Sequence, residues 1–166
     1  MQKPTAYSKP NSAYTFIEIL VALTIIGLIF GIGYVSFRDF SRRQALSGAA
    51  RSIKGDLRLA QEQAISGQKP ADIFCDSPNT LNGYYFNRIS ATNYRLVATC
   101  SGGNVITKDV NIASDISISV NQNPVVFKVL AQGTNVPQAT PAVITLTQAG
   151  TSNTATITIT STGEIK

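Results

Sequence analysis

The sequence predicts an α+β protein: one long N-terminal α-helix, transmembrane in its first half, followed by an antiparallel β-sheet head. Three observations predict it. No residue between Glu18 and Arg38 is charged, an uninterrupted run of 19 positions; a bilayer-crossing helix needs roughly 17–25 apolar residues. From Leu46 to Ala64, apolar residues recur at alternating spacings of four and three, the stripe of an amphipathic helix. After Pro70 the apolar period changes to two, and Gly, Asn, Pro and Ser clusters punctuate it, the pattern of short strands joined by turns.

In chain order, residues 1–13 read MQKPTAYSKPNSA. Two prolines discourage a helix there, and the segment is polar, with Lys3 and Lys9. An ordinary secretory signal ends its short apolar core with the cleavage site; here the apolar run is longer, and a leader cut would precede it. Residues 14–37 form the transmembrane segment. Its odd member is Glu18, because a carboxylate at mid-membrane costs about 2.5–3.5 kcal/mol and marks a function. The fitting partner is an amine. A cut after Ala13 would free an α-amino group on Tyr14, four residues from Glu18, and a shifted neighbouring copy would present the same group. The alternative is an uncut anchor with a cytoplasmic tip. Gly27 and Gly31 make a G-x-x-x-G pair, with Gly33 beside it, a spacing that lets membrane helices approach closely; the plainer alternative is local flexibility. Lys3 and Lys9 on one flank stand against Arg38, Arg42 and Arg43 on the other, so basic flanks alone do not orient the span.

Residues 38–67 continue as an amphipathic stalk helix. Leu46, Ala50, Ile53, Leu57, Ala60 and Ala64 trace its apolar face, Arg51, Lys54, Arg58 and Glu62 lie off it, and Gly67 and Pro70 end it. Residues 71–166 are the β-rich head. Ile73 with Cys75, Tyr84 with Phe86, Tyr94 through Cys100, Ile116 through Val120, Val125 through Val129 and Ala155 through Ile159 each place alternate apolar residues on one face. This pattern predicts antiparallel strands in two small packed sheets. Cys75 and Cys100 are the only cysteines. If their strands are neighbours the pair can bridge, which fits an oxidising compartment; the alternative is two buried thiols.

These residues carry a resemblance. Tyr14-Thr15-Phe16-Ile17-Glu18-Ile19-Leu20 resembles the class III signal of type IV pilins and type II secretion pseudopilins. The resemblance implies that a prepilin peptidase cuts between Ala13 and Tyr14, that Tyr14 becomes N-methylated, and that Glu18 pairs with a neighbour's amino terminus during assembly. The family more often has Gly and Phe where this chain has Ala13 and Tyr14. Asp56 through Ala64 resembles the stalk-to-head helix of GspH/FimT-type pseudopilins, Val125-Val126-Phe127 with Gly133 their mid-domain strand and glycine, and Thr156 through Ile165 their closing strands. The implied fold is pilin-like. The implied partners are other pilin or pseudopilin subunits, a prepilin peptidase and the membrane. The implied location is the plasma membrane, crossed once with the head exported, then an extracellular or periplasmic filament.

Charge and chemistry narrow the function. The net charge is +5, but residues 1–70 hold nine Lys/Arg against four Asp/Glu, whereas residues 71–166 hold five of each. The head is therefore neutral, which argues against a nucleic-acid partner. Some FimT-like proteins bind DNA through a basic C-terminal tail; this chain closes with Gly163-Glu164-Ile165-Lys166, without an Arg cluster. With no His, a Ser-His-Asp arrangement and imidazole metal ligands are absent. Asp72 with Asp76, and Asp109 with Asp115, lack the form of a calcium loop and read as solvated loop charges. No cofactor, metal or catalytic residue is expected. The sequence thus points to a structural minor pilin or pseudopilin. The alternatives are a DNA-uptake minor pilin of the same family and a membrane-anchored adhesive or ligand-binding domain.

Overall fold

The computed structural model describes residues 15–166, apart from the side chains of residues 32–36. The leader of residues 1–13 and the Ala13–Tyr14 bond lie outside the described residues. Thr15 opens the helix: its carbonyl accepts from the amides of Glu18 (3.1 Å) and Ile19 (3.3 Å). Helix α1 then runs Phe16–Ser66. Its stop is chemical. Gly67 has φ +66°; its amide donates to Ala64 O (3.2 Å), and that of Gln68 to Gln63 O (3.0 Å). This is the paired closure of a Schellman motif, which needs a left-handed residue and so favours glycine.

The chain divides into two units, Met1–Ser41 and Arg42–Lys166. In the first, the described side chains of α1 are exposed along Phe16–Gly31, large apolar residues such as Phe16, Leu23, Leu28 and Phe30 included. Among the described residues no helix is long and apolar enough to cross a membrane; part of the 14–37 stretch lies outside them.

The second unit holds two antiparallel sheets. Strands β1 (Leu81–Arg88), β2 (Asn93–Cys100), β3 (Gly103–Asn111) and β5 (Val125–Lys128) form a four-stranded sheet in the order β3-β2-β1-β5. Strands β4 (Ile116–Val120), β6 (Ala142–Gln148) and β7 (Thr154–Ile159) form a three-stranded sheet in the order β4-β6-β7. Both sheets and the second half of α1 share one core. Leu46, Ile53, Leu57, Ala60 and Ala64 enter it from the helix, Tyr84, Phe86, Tyr94, Leu96 and Phe127 from the larger sheet, and Ile118, Ile144, Leu146, Ile157 and Ile159 from the smaller. The Phe86 and Tyr94 rings stack with centroids 5.0 Å apart.

Three details differ from the sequence reading. Ile73 and Cys75 do not share a strand face: residues 71–79 form turns, Cys75 is buried and Ile73 is 76% exposed. Asp72 directs this. Its carboxylate accepts from the Phe74 amide (3.0 Å), and its carbonyl accepts from the amides of Cys75 (2.8 Å) and Asp76 (2.9 Å), the local competition by which Asp disfavours a strand. Strand β3 is additional. A bulge at Thr107, between the Leu96↔Lys108 and Val97↔Ile106 pairs, breaks its period of two, and most of it is exposed. Strand β6 is also additional, with Ala142, Ile144, Leu146 and Gln148 buried in alternation.

Candidate assembly site

Glu18 sits in the first turn of α1. With Thr15 at the cap it completes the T-x-x-E spacing of a capping box, a signal in the sequence that bears directly on why a helix begins here. The position also places a carboxylate at the positive end of the helix dipole. Around it the helix is apolar: one shallow groove beside Glu18 is lined by Ile17, Val21, Ala22 and Ile25, and another by Ile19, Ala22 and Leu23. No described cation pairs with Glu18. Gly27 and Gly31 lie farther along, and a Cβ on either would meet nothing within 4 Å, so both leave room for close approach. Tyr14, the expected methylation position, is outside the described residues.

The head is fastened to the helix by polar contacts that sequence reasoning did not single out. Asp56 is 7% exposed. Its Oδ2 accepts from the Tyr94 hydroxyl on β2 (2.7 Å), and its Oδ1 pairs with Lys108 Nζ on β3 (2.6 Å). Burial, followed by the bond to Asp56, pushes the Tyr94 hydroxyl well above its usual range, because desolvation and a carboxylate both oppose phenolate. One sequence signal was present: at 100° per residue Asp56 borders the apolar stripe beside Ile53 and Ala60, on the flank away from Arg51, Lys54 and Arg58. Nearer the helix end, Gln61 Nε2 donates to Gly163 O (2.9 Å) and the Leu130 amide donates to Ala64 O (3.3 Å).

Cys75 and Cys100 form a disulfide, with Cα atoms 5.3 Å apart. It pins the 71–79 turns to the end of β2. Of the four aspartates noted in the sequence, Asp72, Asp109 and Asp115 have internal partners for their carboxylates. Asp109 bonds Asn93 and Arg95, Asp115 accepts from Gln148 Nε2 (2.9 Å), and Asp72 is spent on its own turn. Among the described residues no group of three or more His, Cys, Asp or Glu is placed to hold a metal.

Comparison with protein families decides the identity. A family model described as type II transport protein GspH matches residues 49–163, the last third of α1 and every strand of both sheets. The chain belongs to the GspH family. A second model, the prokaryotic N-terminal methylation motif, matches residues 8–34. Together they make this GspH-family chain a minor pseudopilin or pilin subunit processed by a prepilin peptidase. The family is structural, and membership implies assembly with other pilin-type subunits, while the methylation motif implies membrane-anchored export. No curated protein and no solved structure matches the chain.

Proposed function

We propose that this chain is a minor subunit of a type II secretion pseudopilus, cut between Ala13 and Tyr14 and N-methylated on Tyr14. Residues 14–37 hold the precursor in the plasma membrane with the head exported, and later pack in the filament core. The observation that carries this reading is Glu18, an acidic side chain in the first turn of α1, flanked by exposed apolar residues and matched by no described cation. A carboxylate so placed is stabilised in a lipid or filament interior by an amine, and the amino terminus freed at Tyr14 of a neighbouring subunit supplies one. Gly27 and Gly31 provide a close-packing face for adjacent helices. The disulfide suits an exported head.

The test is co-expression with a prepilin peptidase, followed by intact-mass and N-terminal analysis of the membrane-extracted protein. The expected product begins at methylated Tyr14. A chain that still begins at Met1 overturns the processing step. In a second arm, Glu18→Ala is expected to be processed normally yet fail to enter filaments; normal incorporation overturns the role of Glu18.

A further inference from the structure

Two left-handed residues that are not glycine stand side by side after β5. Among the described residues only Leu130 (φ 54°) and Ala131 (φ 57°) combine a side chain with a positive φ, a conformation that a Cβ makes costly. Burial does not offset that cost, since Leu130 is 71% exposed and Ala131 is exposed as well. The two residues instead shape backbone. The Leu130 amide donates to Ala64 O (3.3 Å), the Gln132 amide closes the turn on Val129 O (3.2 Å), and Gly133 O accepts from the Lys128 amide (2.9 Å). The turn walls a cavity of about 40 Å³, lined by Ala131 and Gly133 together with Gln61 of α1, Lys128 of β5, and Thr162 and Gly163 near the end of the chain. Among the described residues no hydrogen bond engages the amides of Ala131, Gly133 or Thr162. A larger hollow of about 450 Å³ shares these three residues and adds Gln132, Gln138 and Ser161.

We propose that the cavity receives a carboxylate of a peptide, whose main chain lies in the larger hollow. Charge sets the sign. Lys128 is the one charged residue lining either space; it is exposed and enters no ion pair among the described residues. Glu164, the acid beside Gly163, is paired with Lys166 (3.3 Å). Size sets the group. A water-sized group needs roughly 10–15 Å³, so the cavity holds about three, the heavy atoms of a carboxylate and fewer than those of a phosphate or sulfate. Unused amides beside a cation, on backbone turned left-handed, are donors of the kind that hold anions. The larger hollow presents the side-chain amides of Gln132 and Gln138 and the hydroxyls of Ser161 and Thr162, which suit a peptide main chain better than a lipid tail. One lysine is too few for a nucleic acid, whose binding draws on many phosphate contacts. The strained turn then has a use: it holds the cavity open before the ligand arrives, which lowers the ordering cost of binding. Nothing in this inference depends on Glu18 or on the filament reading above.

The experiment is an NMR titration of the full, isotope-labelled chain in non-ionic detergent micelles. The probe is a short unstructured peptide of serine and leucine with one glutamate and a free carboxyl terminus. The amide signals of Ala131, Gly133 and Thr162 are expected to move and to saturate at millimolar peptide, and less readily as salt is added. Lys128→Gln should weaken binding about tenfold, as loss of a charge-assisted contact does. Thr162→Leu, which fills the cavity and leaves the charge in place, should abolish it. Both positions are exposed, and unchanged signals elsewhere in the spectrum show that each variant is folded. Binding that is lost when the peptide's glutamate becomes glutamine, or when its terminus is amidated, supports the proposal and says which carboxylate enters. The proposal is overturned if a peptide lacking both carboxylates binds equally well, if either variant binds like the unaltered chain, if acetate binds as tightly as the peptide, or if inorganic phosphate binds more tightly.

Discussion

Tyr94 donates a hydrogen bond to Asp56 across 2.7 Å, so a phenol on β2 and a carboxylate on α1 fix which turn of the helix meets the sheet. Apolar packing is tolerant of sliding, and a directional bond in the core is not. Tyr94→Phe removes the donor and leaves Asp56 paired with Lys108. The expected loss is about 1–3 kcal/mol, the range for a buried group deprived of one partner. Urea unfolding of the oxidised protein measures it, and an unchanged midpoint would mean the bond is dispensable.

Reduction provides a second expectation. The Cys75–Cys100 bridge closes a separation of 25 residues, and such loops contribute about 3 kcal/mol by limiting the unfolded chain. Cys75→Ser with Cys100→Ser should lower the thermal midpoint clearly, and alkylation of the unfolded, unreduced protein should find no free thiol.

The response to pH has two arms. The Asn93 hydrogen bond, then Arg95, hold the Asp109 carboxyl below its usual 3.8. A depressed carboxyl contributes stability above its unfolded value and loses it as pH falls through the folded one. The stability gap between the natural chain and Asp109→Asn should therefore be constant near neutrality and close below pH 3.8. Tyr94 behaves oppositely. Its value is raised from 10.0, by burial first, so its contribution is complete below pH 10 and lost as pH rises further. Alkaline unfolding should be less steep in Tyr94→Phe, which circular dichroism across pH 9–12 would read.

Gly133 tests the backbone. It has φ +79°, and an added Cβ would lie 2.6 Å from the carbonyl oxygen of Ser161, which also accepts from the Thr134 amide (2.9 Å). Backbone cannot yield as a flexible side chain can. Gly133→Ala should cost about 1–3 kcal/mol, whereas Gly150→Ala, whose Cβ meets nothing within 4 Å at φ +71°, should cost less.

How far the fold could be read in advance depended on whether a signal was periodic. The helix stripe was legible because Leu46, Ile53, Leu57, Ala60 and Ala64 repeat on one face, and all five are buried. Ile116 and Ile118, and Ile157 and Ile159, were legible as alternating strands for the same reason. The 71–79 turns were not, since Ile73 and Cys75 mimic a strand pair while Asp72 bends the backbone by hydrogen bonds that leave no periodic trace. The alternation of Val125, Phe127 and Val129 predicts one more strand residue than forms, because Leu130 and Ala131 turn left-handed at φ 54° and 57° and β5 ends at Lys128. The assembly site was legible at Glu18 because a charge in an apolar run is conspicuous. The Asp56–Tyr94–Lys108 group was not, because its members are 38 and 52 residues from Asp56 in sequence and meet only after the sheet has formed.

The outer rim of β7 is already taken. Thr158 exchanges two backbone hydrogen bonds with Lys166 (3.2 and 3.0 Å), and the Thr160 amide donates to Glu164 O (3.1 Å). A visiting peptide cannot zip onto that rim without first peeling residues 164–166 away. Growth of any polymer from this subunit must therefore proceed by stacking side-chain surfaces on that flank, and a fusion partner joined after Lys166 would tug on a sheet margin rather than trail from a loose tether.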